Sequence, residues 1–255
     1  MNRGRKVKIF RNLLFINILV GLLLSSIHSQ TLTLTPNKMI LLTGNFDSLV
    51  RSYLKSRYTI IPNKREPDGI FTNTIYLQDG FSLELEYPFD PAKRTWQTRA
   101  VRKYGAHIGG LVFDVDAPDS LYRECIRNGI ACEVVTMSSD SLHTVESFAL
   151  DSCEPLDIVF QKTSRTIRKD SLAIHKNGIY RLDWILLSAG TRMQQIFRQL
   201  FSITQSLALH QGCCDYWRLG PPDDFTFIRF EPIPAIAKDD AYWLSIEAGN
   251  YYFAY

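Results

Sequence analysis

Two carboxylates one residue apart on an alternating strand are the side chains of this sequence best placed to do chemistry. In Phe81-Ser-Leu-Glu-Leu-Glu-Tyr87, the two-residue period of a strand turns Leu83 and Leu85 to one face and Glu84 and Glu86 to the other. Carboxylates at this spacing can share a proton or accept hydrogen bonds from a ligand. The bland alternative is a hydrated sheet face. His107 stands just ahead of the apolar run Ile108–Val115 and His175 just ahead of an Asn177-Gly178 turn, and each reads first as a structural group, His175 as a shaper of that turn. Lys93, Arg94, Arg99, Arg102 and Lys103 interleave with Trp96 and Tyr104, which suits a solvated connector more than an anion-steering patch. No Gly-x-Ser-x-Gly elbow, Cys-His nucleophile signature or phosphate-cradling glycine loop accompanies them.

The cysteines are Cys125, Cys132, Cys153, Cys213 and Cys214. Their odd number leaves at least one thiol outside any intrachain bridge. Cys125 and Cys132 flank an expected helix-to-strand turn and read either as a bridge or as small buried hydrophobes. The adjacent Cys213 and Cys214 lack the two-pair spacing of a zinc site.

The N-terminal 29 residues carry Arg3, Arg5, Lys6, Lys8 and Arg11, then an apolar run from Leu13 to Leu24, then Ser25, Ser26 and Ser29. This is the layout of a secretory signal peptide, with cleavage expected after Ser29, and it predicts a secreted or periplasmic protein. The apolar run is shorter than the roughly 20 residues needed to span a bilayer, so no stable membrane span is expected once the leader is removed. The whole chain has 29 Lys plus Arg against 26 Asp plus Glu. Losing the leader's five basic residues leaves a mildly acidic mature protein, which argues against nucleic acid as a partner.

These residues must be positioned by repeated elements, and three segments repeat one pattern. Met39-Ile-Leu-Leu-Thr-Gly-Asn-Phe-Asp-Ser-Leu49, Leu111-Val-Phe-Asp-Val-Asp-Ala-Pro-Asp-Ser-Leu121 and Trp184-Ile-Leu-Leu-Ser-Ala-Gly-Thr191 each run from an apolar strand into a helix start. Asp47 and Ser48 are suited to capping the first helix. Leu49, Val50, Tyr53 and Leu54 form its apolar face, Leu121, Tyr122, Cys125 and Ile126 that of the second, and Met193, Ile196, Phe197, Leu200 and Phe201 that of the third. Strand-like runs follow each helix, with hairpin turns at Asp79-Gly80 and Glu154-Pro155. The expected architecture is α+β, built from βαβββ units: two over 36–161, and a third over 180–248 that includes the opening strand of an incomplete fourth. The connectors 89–106 and 162–179 read as polar loops.

Repeated βαβββ units, the Leu83-Glu-Leu85 strand and the segment His175-Lys-Asn-Gly178 resemble the glyoxalase-like proteins of the vicinal oxygen chelate superfamily. The resemblance covers most of residues 36–248. It implies cupped mixed sheets whose concave face often holds a divalent metal, with a His near the start of a unit's first strand and a Glu on its last strand. The His position maps to Met39, Leu111 and Trp184, none a usual ligand, and the Glu position maps to Glu84 in the first unit and Ile228 in the third. No cofactor is therefore expected; Glu84 would be the first ligand of any metal that did bind. The resemblance further implies a cup lined by Met39 and Trp184, with Glu84 and Glu86 as polar anchors and His107 and His175 as weaker candidates. The reading that follows is an exported, non-catalytic binder of a small molecule. The alternatives are a metal-dependent lyase, isomerase or dioxygenase with rearranged ligands such as Glu84, Glu86 and His107, or a partner-binding module with a filled cup.

Overall fold

The computed structural model describes residues 32–62, 67–90, 92–93, 95–139, 144–151, 156–162, 167–188, 191–204, 206–211, 214–220, 226–231, 243–248 and 251–254. The expected leader, the Glu154-Pro155 turn, Arg94, Cys153 and Cys213 lie outside these residues.

Alternating or continuous apolar runs make two sheets. The first contains β1 (Leu34–Leu42), β2 (Ile61–Pro62), β3 (Ile70–Tyr76), β4 (Ser82–Pro88), β5 (His107–Val115), β6 (Cys132–Met137), β7 (Val145–Leu150) and β8 (Asp157–Lys162), in the order β2-β3-β4-β1-β5-β8-β7-β6. β1 lies parallel to β4, β5 lies parallel to β8, and β1 meets β5 antiparallel. Helices α1 (Phe46–Lys55) and α3 (Pro118–Arg127) follow β1 and β5. The second sheet repeats the pattern with β9 (Trp184–Ser188), helix α4 (Thr191–Ile203), β10 (Leu207–Gln211), β11 (Cys214–Leu219) and β12 (Thr226–Glu231). Its β9 is parallel to β12, and β13 (Trp243–Ala248) pairs antiparallel with β9 as β5 does with β1. A last strand, β14 (Tyr251–Ala254), pairs with β13.

The helices start and stop for local reasons. The Asn45 side chain, rather than Asp47 or Ser48, caps α1 by accepting from the Ser48 N–H at 3.1 Å, while Asp47 sits in the first turn, where a negative charge suits the helix dipole. Pro118 occupies the first turn of α3, where its missing N–H costs nothing. Leu49 and Tyr53 of α1, and Leu121 and Cys125 of α3, enter one continuous core with Leu83, Leu85, Leu111, Phe113, Phe148 and Phe160. Leu54 and Ile126, expected on the same faces, are more than 45% exposed. The buried stripe is narrower than the sequence pattern suggests, because each helix touches its sheet along one edge.

The expected connectors contain further structure. Residues 89–106 include helix α2 (Trp96–Tyr104), capped by Thr95 accepting from the Thr98 N–H, and residues 162–179 include a 3-10 turn over Ser171–Ala173. Both lie against the first unit. α2 packs over β4, β5 and β1, and the second connector is sewn to the first unit by Arg168 N–H to the Gln78 carbonyl (2.9 Å) and Lys176 N–H to the Arg57 carbonyl (3.2 Å).

Two bulges set the phase of the β1–β5 pair. Register shifts between Pro36 and Lys38 and between Ile40 and Leu41 insert Asn37 on β1 and Gly109 on β5. A Cβ added at Gly109 would lie 2.7 Å from Leu42 Cγ and 3.3 Å from the Trp96 ring. Gly109→Ala is therefore expected to lower unfolding free energy by about 1–3 kcal/mol through overpacking, measured by urea titration. A variant as stable as the parent would mean that α2 does not rest on this bulge.

Candidate functional site

Strand alternation sorts the first-unit candidates onto two faces. Met39 is fully buried and pairs in register with Leu83 and Leu111, so it points into the helix-side core and not into a cup. Lys38 and Ile40 occupy the opposite face with Glu84 and Glu86, and Ile40 is the register partner of Glu84. Leu111 is likewise in the core. In the second sheet, Ile228 is buried in the core and pairs with Ile185. Trp184 is half-buried on the other face, stacked on Phe227 with ring centroids 4.6 Å apart. Met39 and Trp184 thus do not line one cup. They lie in different sheets and on opposite sides of their strands.

Glu84 and Glu86 share a face, yet each has its own partner. Lys38 Nζ lies 2.7 Å from Glu84 Oε1, with both side chains partly exposed. Glu86 is 7% exposed and accepts from Gln97 Nε2 of α2 at 3.2 Å. Burial, reinforced by the neighbouring Glu84 charge, pushes the Glu86 carboxyl up to about 7 against the partial relief given by Gln97 and Lys38. The two carboxylates are thus partnered separately: one is ion-paired at the rim and the other is desolvated beneath a helix. Their face continues across the sheet as Asn37 Nδ2 to Asp114 Oδ1 (2.8 Å) and Gln161 Nε2 to the same oxygen (3.0 Å).

A pocket of about 520 Å³ opens on this face, lined by Lys38, Tyr76, Ser82 and Glu84 from the strands and by Arg168 and Asp170 from the second connector. Arg168 lies 4.0 Å over the Tyr76 ring and is paired with Asp170 at 2.8 Å. Sequence reasoning missed Lys38, Asp114, Tyr76 and Arg168. The signals available were a lysine inside an apolar strand and an aspartate inside the run Leu111–Val115.

The histidines are set apart from this pocket. His107 Nδ1 is 2.8 Å from the Gly105 carbonyl oxygen, Nε2 is buried with no hydrogen-bond partner, and desolvation holds the ring below its ordinary pKa. Its register partner is Leu42, which in turn pairs with Glu86, so His107 and Glu86 flank Leu42 under α2. His175 is buried. Its Nδ1 accepts from the Thr59 N–H at 3.0 Å, so Nε2 carries the proton and donates to the Tyr76 carbonyl at 2.8 Å. The Asn177-Gly178 turn forms behind it, with Gly178 at φ 80°, but the ring itself ties the second connector to the first unit.

No family model and no curated protein matches the sequence. Solved structures do. A triple mutant of 4-hydroxymandelate synthase from Streptomyces coelicolor superposes with a TM-score of 0.52 at 12% identity, over 78% of this chain and 62% of that one. A xylose isomerase-like TIM barrel/4-hydroxyphenylpyruvate dioxygenase fusion protein gives 0.53 at 10% identity, over 78% and 32%. A hypothetical protein from Staphylococcus aureus gives 0.55 at 14% identity, over 81% and 88%. The fold is glyoxalase-like, of the vicinal oxygen chelate type. At such identities the likeness describes the fold alone, and the chain spans less than two thirds of the first two proteins.

The divalent ion that the family resemblance implies does not fit the residues on the face where it would be held. Beside Glu84 the first strand presents Lys38 and Ile40, and β5 presents Gly110 and Val112. An ammonium already neutralises the one carboxylate in position, and among the described residues no three His, Cys, Asp or Glu side chains converge.

Two outcomes test this electrostatic description. Between pH 4.5 and about 7 the unfolded Glu86 gives up its proton while the folded one keeps it, so this group's contribution to stability falls as pH rises. Glu86→Gln should remove that slope and gain roughly 3 kcal/mol at pH 8, read by denaturant melts at several pH values; an unchanged slope would place Glu86 in contact with water. His175 titrates with the opposite sign, because its depressed folded pKa costs stability as pH drops below 6.5. His175→Ala should cost about 2–4 kcal/mol at pH 7.5 by stranding the Thr59 N–H and Tyr76 carbonyl, whereas a loss under 1 kcal/mol would mean that the connector is held by its backbone bonds alone.

Proposed function

We propose that this chain is an exported, non-catalytic, glyoxalase-like protein that binds a small polar molecule in the pocket between the first sheet and residues 167–170. The observation that carries the proposal is the Lys38–Glu84 pair on the sheet face where the family resemblance would place a metal. It offers a ligand one fixed donor group and one acceptor group without any ion. Tyr76, Ser82 and the Arg168–Asp170 pair add hydrogen-bonding groups around about 520 Å³, a volume within the range of small-molecule sites. Export is supported by the basic, apolar and small-residue succession of residues 1–29. The mature composition gives no electrostatic support for a nucleic acid partner, and no helix among the described residues is long and apolar enough to cross a membrane.

The enzyme reading calls for rearranged ligands such as Glu84, Glu86 and His107. Glu84 is engaged by Lys38, while Glu86 and His107 flank Leu42 beneath α2, and this separation favours binding over metal chemistry.

The test is elemental mass spectrometry of the full chain, purified without affinity tag or chelator, beside the Glu84→Gln variant. Folded protein with substoichiometric iron, manganese, nickel and zinc is expected, together with a stability change below about 1 kcal/mol in the variant, since the partly exposed pair is screened by solvent. Near-stoichiometric metal that disappears in Glu84→Gln would overturn the proposal in favour of the rearranged enzyme.

A further inference from the structure

Cys125 and Cys132 stand on either side of a tightly specified turn. Cys125 is fully buried near the C-terminal end of α3, and Cys132 opens β6, half-buried against the same core. Between them the Asn128 N–H donates to the Glu124 and Cys125 carbonyls, Gly129 takes a φ of 74°, and the Ile130 N–H returns to the Cys125 carbonyl at 2.9 Å. Register pairing of Cys132 with Leu150, and the Asp151 N–H bond to the Ala131 carbonyl at 2.9 Å, hold the strand side. Both cysteines are free thiols; the Cys132 Sγ–H donates to the Ile130 carbonyl of the turn at 3.5 Å, and each thiol is the largest influence on the other's titration.

The turn fixes the backbone on both sides, and the two thiols, seven residues apart, enter the same core beside it. From this geometry we propose that Cys125 and Cys132 are an intrachain disulfide pair, closed after export by a disulfide oxidant. The proposal rests on the export reading above for its compartment, because disulfides persist in oxidising compartments. The half-buried Cys132 reacts first: its thiolate attacks one sulfur of the oxidant disulfide, breaks that S–S bond and expels a thiolate. The Cys125 thiolate then attacks Cys132 Sγ in the mixed disulfide and expels the second thiolate. Two protons pass from the cysteines to the departing sulfurs, so the oxidant gains two electrons and leaves as two thiols. The neighbouring Cys125 thiol holds the Cys132 thiol below its ordinary range, which suits the attacking role, while the Cys132 neighbour and burial push Cys125 up.

The bridge would clamp β6, the edge strand of the eight-stranded sheet, to the helix that covers it. β6 leaves Val135 and Met137 more than half exposed, and an edge strand of that character gains most from a covalent tie.

The experiment equilibrates the full chain with reduced and oxidised glutathione over a range of ratios, traps free thiols with iodoacetamide and maps peptides by mass spectrometry. A Cys125–Cys132 cross-link is expected, together with a Tm drop of about 5 °C on reduction that is abolished in Cys132→Ser and retained in Cys153→Ser. Both thiols alkylated in folded protein at the most oxidising ratio, or Cys132 cross-linked to Cys153, would overturn the pair. Export is read separately, by locating a reporter fused behind residues 1–29. A bridge that forms in glutathione although the reporter stays inside the cell would sink the compartment assignment and leave the pairing standing.

Discussion

β1 is hydrogen-bonded along both edges, parallel to β4 and antiparallel to β5, and its phase governs everything built around it. With Met39 and Leu41 turned toward the helices, Leu83, Leu85, Leu111 and Phe113 join the same core, and Lys38 and Glu84 come together on the far side. A slip of one residue would exchange the faces, sending an ammonium into the core and Met39 into water. The inserted residues at Asn37 and Gly109 pin the register, and each is put to use. The extra residue Asn37 reaches the otherwise buried Asp114, and the bare backbone of Gly109 gives Leu42 and Trp96 room to pack.

The polar face that results is partitioned instead of pooled. Asp114 is satisfied by two amides, Glu84 by an ammonium, and Glu86 by one amide beneath a helix. A metal site would require such carboxylates to converge on one point; here each is drawn toward a different donor. The segments that do this partitioning, α2 and residues 167–170, belong to the two connectors, so the parts of the chain outside the repeats decide what the repeats can hold.

The repeat was legible because strands and helices of the three units carry the same apolar spacing, and the Asp79-Gly80 turn and the Asn128-Gly129 stop follow from side-chain and glycine chemistry. α2 was not, since it is short, carries Arg99, Arg102 and Lys103, and buries only Thr98 fully, so the weak apolar spacing of Trp96, Val101 and Tyr104 reads as a solvated connector. The faces of β1 were also hidden. Met39-Ile-Leu-Leu is apolar throughout, so alternation gives no phase, and matching the starts of repeated strands placed Met39 on the wrong side. The phase could have been taken from β4, whose Leu-Glu-Leu-Glu pattern has only one reading. His175 shows a different limit, because its partners Thr59 and Tyr76 lie about a hundred residues away in sequence.

A carboxyl group with a pKa near neutrality invites a catalytic interpretation, since perturbed groups gather at active sites. The cause of the perturbation decides whether that inference holds for Glu86. Its largest contribution is burial, its hydrogen-bond donor is a glutamine of the covering helix, and it is absent from the lining of the pocket that Glu84 helps to form. A general acid or base must come within hydrogen-bond reach of the reacting atom, and α2 occupies that space. The raised pKa is therefore the consequence of placing a helix over a face whose alternation already fixed a glutamate there. The partly exposed member of the pattern, Glu84, is the one left available to a ligand, and it reaches that ligand already paired with Lys38.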